Sequence, residues 1–176
     1  MQSSPWRRLL ALVPRHRLFR LLGLYPPYLG AGVRVREVSR DLRAFTVEMR
    51  LRPWNRNYVG THFGGSLYAL ADPWYMLILI EHLGDGYAVW DKAASIRFVR
   101  PGRGTVRARF EISEERIAAI RAEADRVGRA EPTFRVAITD EHGETVAEVE
   151  KLLSVRARRV IAPAEPARPN PSPASS

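Results

Sequence analysis

Within NYVGTHFGGSLYALADPWYMLILIEHLG, residues 57–84, two glycines, an acid and a proline interrupt an apolar run. Gly64 and Gly65 stand where a helix would open. The first N–H groups of a helix have no partner inside it, and they sit at the positive end of its dipole. Lacking a Cβ, the pair lets an oxygen approach those donors and so could hold an anion or a developing oxyanion. A tight turn with close helix–sheet packing would need the same glycines. Asp72 lies inside the apolar stretch, where a charged carboxylate is costly unless it is paired or opens to a cavity. It is a candidate base or nucleophile; capping a loop or pairing with an arginine are the structural alternatives. Pro73 removes one N–H, so the Ala69 carbonyl loses its helix partner and a bend is expected. Asn57 either orients water or substrate or caps its own turn. Thr61, His62 and Phe63 are candidate pocket-mouth residues.

The elements around this stretch follow from periodicity. Residues 6–24, WRRLLALVPRHRLFRLLGL, read as two short amphipathic helical pieces broken at Pro14. Their apolar segment LLALV is too short for a secretory signal. A helix packed on the domain is expected, with a transit peptide or a membrane-surface helix as alternatives. YPPYLGAG then reads as a rigid connector, Pro26 and Pro27 stopping any helix. GVRVREVS and RAFTVEMRL alternate as strands, the second presenting Phe45, Val47, Met49 and Leu51 on one face. The apolar run Trp74–Ile80 is far short of the roughly 20 residues that span a bilayer, so the helix must be enclosed by protein. YAVWDKAASIRFVR and TVRARFEI are further strands, the latter with Val106, Ala108, Phe110 and Ile112 inward. Ser113 caps a helix over 113–126 and Gly128 ends that region. Residues 133–158 form a hairpin turning at DEHGE. The predicted architecture is α+β, an antiparallel sheet wrapped around one long central helix, with an N-terminal helical extension. Domain bounds are 1–30 for the basic helical segment and connector, 31–157 for the folded domain, and 158–176 for a disordered Pro/Ala-rich tail.

Composition narrows the function classes. The 176 residues fit one domain, and 45% apolar content suffices for a core without staples. Cysteine is absent, which excludes disulfides, thiolate metal sites and a cysteine nucleophile. Four scattered histidines offer no metal-binding pair, so no metal is expected. The net charge of +9 is concentrated in residues 1–23 and in an acid-free stretch between Asp91 and Glu111. Such patches suit a phosphorylated cofactor, an anionic membrane or nucleic acid, or are a solvated basic face. No zinc finger, RNA motif or helix-turn-helix accompanies them, so nucleic acid is not expected.

The order of elements and the motif N-x-x-G-x-x-F-G-G-S-L-Y-A-L-A-D resemble the hotdog-fold thioesterases, the phenylacetate-pathway acyl-CoA thioesterases in particular. NYVGTHFGGSLYALADPWYML with VWDKAASIRFVRPG is similar, more closely still, to domain-of-unknown-function family 4442, over about residues 20–156. The resemblance implies an acyl-CoA thioesterase with Asp72 as catalytic acid, Gly64 as backbone donor and Asn57 in the site. Gly65, Thr61, His62 and Phe63 then line the substrate, and Arg97, Arg100 and Arg103 suit coenzyme A phosphates. No cofactor is implied; coenzyme A arrives only with the substrate, in a cytoplasmic setting. Phe63 occupies the place where the phenylacetate-pathway enzymes have histidine, with His62 one place earlier. That departure keeps a non-catalytic acyl-ligand-binding protein as the alternative; a peripheral membrane or anion-binding protein acting through residues 1–23 is a third. The hydroxyacyl-thioester dehydratases, another hotdog class, are a poor fit, because their helix glutamate would fall at Met76. Eight residues separate Gly64 from Asp72, about 12 Å at helical rise. A carbonyl held at one is out of reach of the other, so the site is expected to join two subunits of a dimer, or of a tetramer built from dimers.

Overall fold

The computed structural model describes residues 14–158. Among the described residues, five helices and seven strands follow one another as α1 (Arg15–Arg20), α2 (Pro26–Ala31), β1 (Val33–Val38), β2 (Ala44–Arg50), α3 (Gly64–Ala71), α4 (Trp74–Leu83), β3 (Tyr87–Phe98), β4 (Thr105–Glu111), α5 (Glu114–Val127), β5 (Arg129–Ala130), β6 (Thr133–Thr139) and β7 (Thr145–Ala157). Short 3-10 turns cover Leu21–Leu24 and Pro53–Asn55. The sheet runs β1-β2-β4-β6-β7-β3 with antiparallel neighbours throughout, and β5 adds a short pairing to β7.

Alternation decides which face meets the helices. Phe45, Val47 and Met49 of β2 are buried, as are Val106, Ala108 and Phe110 of β4, while Arg107 and Arg109 face outward. In β1 the simple alternation fails: a bulge between Val35 and Glu37 shifts the phase, so Val38 rather than Glu37 turns toward the core. The sheet encloses α3 and α4. Trp74 is fully buried at the centre, stacked on Tyr28 at 5.7 Å and tilted against Phe45 at 5.4 Å. This is the α+β hotdog arrangement, an antiparallel sheet wrapped around a central helical element.

Two expectations need correction. Pro26 and Pro27 do not stop a helix; they begin α2. At the first helical positions the missing N–H would have had no partner anyway, and the fixed φ suits the first turn. The central element does not merely bend at Pro73. It breaks into α3 and α4 around a cis Asp72–Pro73 peptide. Residues 1–13, with the first predicted helical piece, and 159–176, most of the predicted disordered tail, lie outside the described residues.

β3 closes one end of the sheet. Its only strand partner among the described residues is β7, and Lys92–Ser95 along it are exposed. A long strand with an open edge presents unpaired backbone groups to another chain.

Candidate active site

The break between α3 and α4 frees backbone groups, and three of the carbonyls find new partners. With no N–H on Pro73, the Ala69 carbonyl accepts instead from the Asp72 N–H at 3.3 Å. The Leu70 carbonyl accepts from the Trp74 indole at 2.8 Å. The Asp72 carbonyl accepts from the Tyr28 hydroxyl. Burial and the adjacent Asp72 charge push the Tyr28 phenol well above its usual range, so it stays a donor. The main chain of Asp72 is thus held at both its N–H and its carbonyl, with its backbone out of helical conformation.

The Asp72 carboxylate meets a lysine. Lys151 Nζ lies 2.6 Å from Asp72 Oδ1 and 3.0 Å from Asp91 Oδ2. The Tyr68 hydroxyl accepts at 3.4 Å, so all three ammonium protons have partners. The Lys151 side chain is 1% exposed, against 45% for Asp72 and 24% for Asp91. Burial by itself would lower the Lys151 pKa, but the two carboxylates outweigh it and the net shift is upward; the ammonium stays charged. Asp91 moves upward too. Burial is the main cause, neighbouring Asp72 adds to it, and Lys151 only partly offsets both. Its Oδ1 is buried without a hydrogen-bond partner. Two carboxylates around one ammonium leave one unit of negative charge, unless Asp91 holds a proton.

Neither Lys151 nor Asp91 was anticipated from the sequence. The signal for Lys151 was present: Val149, Lys151 and Leu153 share the inward phase of β7, and a lysine there demands buried acceptors. Asp91 reaches it from β3 beside a bulge between Asp91 and Ala93, an irregularity that alternation does not reveal.

At the other end of α3, Phe63 precedes the first turn without a side-chain cap. The N–H groups of Gly64 and Gly65 have no partner among the described residues. Both positions are crowded on the Cα side. A Cβ on Gly64 would come 2.9 Å from the Phe98 ring, and one on Gly65 would come 2.6 Å from the Phe63 ring. Phe63, Phe98, Val99, Tyr58 and Val59 are all exposed in the single chain.

The remaining predicted residues divide. Asn57 spends its amide on its own turn: Nδ2 donates to Thr61 Oγ1 at 2.8 Å and the His62 carbonyl at 3.2 Å, and Oδ1 accepts from the N–H groups of Val59 and Thr61. Thr61 and His62 are buried rather than at an open rim. His62 Nε2 pairs with the Gly104 carbonyl at 3.2 Å, which makes it the protonated nitrogen, and Nδ1 has no partner. Burial lowers the His62 pKa, and the Gly104 bond only partly opposes that. Arg97 is paired with Glu148 at 2.6 Å, and Arg100 with Glu144 and Asp140. Arg103 is exposed and has no ion pair among the described residues. An open cleft of about 450 Å³ is lined by Arg97, Arg135, Glu148 and Glu150, and neither Asp72 nor Gly64 is in its lining. Among the described residues no cluster of potential metal ligands is found.

A hotdog protein carrying a lysine-held acid at its helix break is the class that this fold and site define. The chain belongs to the family of the domain of unknown function DUF4442, whose model matches residues 15–155. A structure from Pseudomonas aeruginosa, named as a protein of unknown function and probable thioesterase, is similar at 27% identity and a TM-score of 0.73, covering 83% of this chain and 97% of that one. A Haemophilus influenzae thioesterase shares the fold at 19% identity and a TM-score of 0.61, covering 81% and 90%. So does a protein from Chlorobaculum tepidum at 18% identity and a TM-score of 0.66, covering 85% and 99%. No curated protein matches the chain.

Proposed function

We propose that the protein hydrolyses an acyl thioester, with acyl-CoA as the substrate class. The observation that carries this reading is the Asp72 carboxylate, half exposed at a helix break and fixed through one oxygen by a buried lysine. Its other oxygen has no ion pair among the described residues. Asp72 takes a proton from water, the water oxygen attacks the thioester carbonyl carbon, and the C–S bond breaks as the thiolate leaves and is protonated. Direct attack by Asp72, followed by hydrolysis of the anhydride, is the covalent variant. The uncapped Gly64 and Gly65 N–H groups suit the oxyanion. The Pseudomonas and Haemophilus proteins, named as thioesterases, support the class of chemistry.

In this reading the glycines and the acid of one site come from different copies. About 12 Å separates residues eight apart on a helix, too far to grip one carbonyl from both ends. The open edge of β3 and the exposed Phe63 and Phe98 supply a surface for the second copy. Arg103 is the basic residue of the acid-free stretch best suited to a coenzyme A phosphate, because Arg97 and Arg100 already hold carboxylates. A cytoplasmic site of action goes with this substrate. No described helix is long and apolar enough to cross a membrane.

A non-catalytic acyl-ligand-binding protein is the second reading. It is favoured by the ion pair that occupies one oxygen of Asp72, and by Phe63 standing before the glycines. A coupled free-thiol assay over an acyl-CoA panel, run beside Asp72→Asn, separates them. Turnover abolished by the substitution supports the enzyme; tight binding without turnover in the wild type supports the binding protein.

A further inference from the structure

On the outer face of the sheet, five arginines converge around one acid. Arg34, Arg36, Arg50, Arg52 and Arg107 line a cleft of about 350 Å³ together with Glu48. Glu48 is shared between Arg36 at 3.3 Å and Arg107 at 3.4 Å. Arg34, Arg50 and Arg52 have no carboxylate partner among the described residues. The strand register explains the convergence. Arg34 lies opposite Glu48, Glu48 opposite Arg107, and Arg50 opposite Thr105, so these side chains share the solvent face.

The backbone beneath them is fixed. Asn55 is buried, its Nδ2 donating to the Ala31 carbonyl at 2.9 Å and the Arg50 carbonyl at 3.0 Å, and its Oδ1 accepting from the Arg52 N–H at 2.7 Å. One amide thereby ties α2, the end of β2 and the loop carrying Arg52 into a single frame. Gly32 is required for this: its φ is +78°, and a Cβ there would meet Asn55 Nδ2 at 2.7 Å. Leu29 and Trp54, each more than half exposed, also line the cleft, and the Arg52 guanidinium lies 6.0 Å from the centre of the Trp54 ring.

We propose that this cleft is a binding site for an anionic phosphate group, carried as a monoester or a diester. Guanidinium forks match phosphate oxygens bidentately. Like charges held side by side on a sheet repel, so an anion that enters relieves an existing cost. The phosphate can come from a soluble molecule or from a lipid headgroup, with Leu29 and Trp54 meeting the rest of either.

Thermal melting of the full chain with inorganic pyrophosphate, and flotation with phosphatidylglycerol or phosphatidylcholine vesicles, test this. The variants are Arg34→Gln/Arg50→Gln and, as a control for net charge, Arg116→Gln/Arg126→Gln on α5. Pyrophosphate is expected to raise the wild-type melting temperature in proportion to site occupancy. The cleft variant should bind at least about a hundredfold more weakly, the loss of two charge-assisted contacts, while the control binds as wild type. Binding of phosphatidylglycerol vesicles alone, lost in the cleft variant and kept in the control, would assign the phosphate to a lipid. Binding of neither probe, or equal weakening of both variants, overturns the proposal.

Discussion

At Asp72 the structure turns a lone acid into one member of a trio, and this changes what its removal does. In Asp72→Asn the buried Lys151 keeps Asp91 at 3.0 Å, and the trio becomes electrically neutral. Stability should therefore fall by less than about 2 kcal/mol, one charge-assisted hydrogen bond. If Asp72 is the base, turnover should drop by about 10²–10⁴-fold. Lys151→Met is the contrasting case. It leaves two neighbouring carboxylates, one of them half-buried, without their cation, and breaking a buried pair costs about 3–5 kcal/mol. Chemical denaturation of the two variants should rank them in that order; equal losses would show that Asp91 does not hold Lys151 alone. His62 gives a pH signature. Burial depresses its folded pKa, so its contribution to stability is present above the unfolded value of about 6.5 and is lost as pH falls through the lower folded value. Melting temperatures from pH 7.5 to 5 should fall more steeply for the wild type than for His62→Gln. The acid, the glycines and the proline were all visible in the sequence as residues out of place in an apolar run. Asp91 was not, because its role depends on the β3–β7 register and a bulge, which are set by pairing between distant segments.

Among the elements, legibility followed the strength of the local signal. The bounds of α5 came through closely because its ends are written in single residues: the Ser113 hydroxyl accepts from the Arg116 N–H, and Gly128 takes the left-handed conformation at φ 82°. Ser113→Ala should cost about 1 kcal/mol, the typical worth of an N-cap. Gly128→Ala should cost a similar amount, since a Cβ is strained at positive φ even though open space surrounds it. Thermal denaturation of each reads out the loss, and the double variant should be additive because the sites lie at opposite ends of the helix. β2 and β4 were equally plain, their inward faces fixed by period-two burial. The proline-marked segments were not. Pro26 and Pro27 can start a helix as readily as stop one, and the choice is made by packing: Tyr28 is buried against Trp74 and holds the Asp72 carbonyl. At Pro73 the missing donor foretold a disturbance. How far the chain departs from helix depended on partners such as the Trp74 indole and Tyr28, supplied by the chain's own tertiary packing.

For the whole molecule, the proposed site requires two copies, and that can be tested without knowing the acyl group. Gly64 is the first residue of α3, and Phe63 before it is extended at φ −65°, ψ 128°. Both conditions favour proline, which is well tolerated at the first helical position and compels an extended residue before it. Gly64→Pro should therefore keep the helix while deleting one oxyanion donor. The Phe98 ring must yield slightly to make room for the proline ring. Loss of one such donor typically costs about 10²–10³-fold in turnover. Asp72→Asn is expected to lose turnover for the other reason, at the opposite end of α3. If each site joins the glycines of one copy to the acid of the other, a mixed dimer of the two variants contains one intact site. Unfolded together and refolded at equal concentration, the pair should recover about a quarter of wild-type activity, since half the dimers are mixed and each has one of two sites restored. Light scattering on the same samples should show no stable monomer at micromolar concentration. No recovery in mixtures whose mass confirms mixed dimers would place the donors and the acid of each site in the same chain, and the shared-site mechanism would fail.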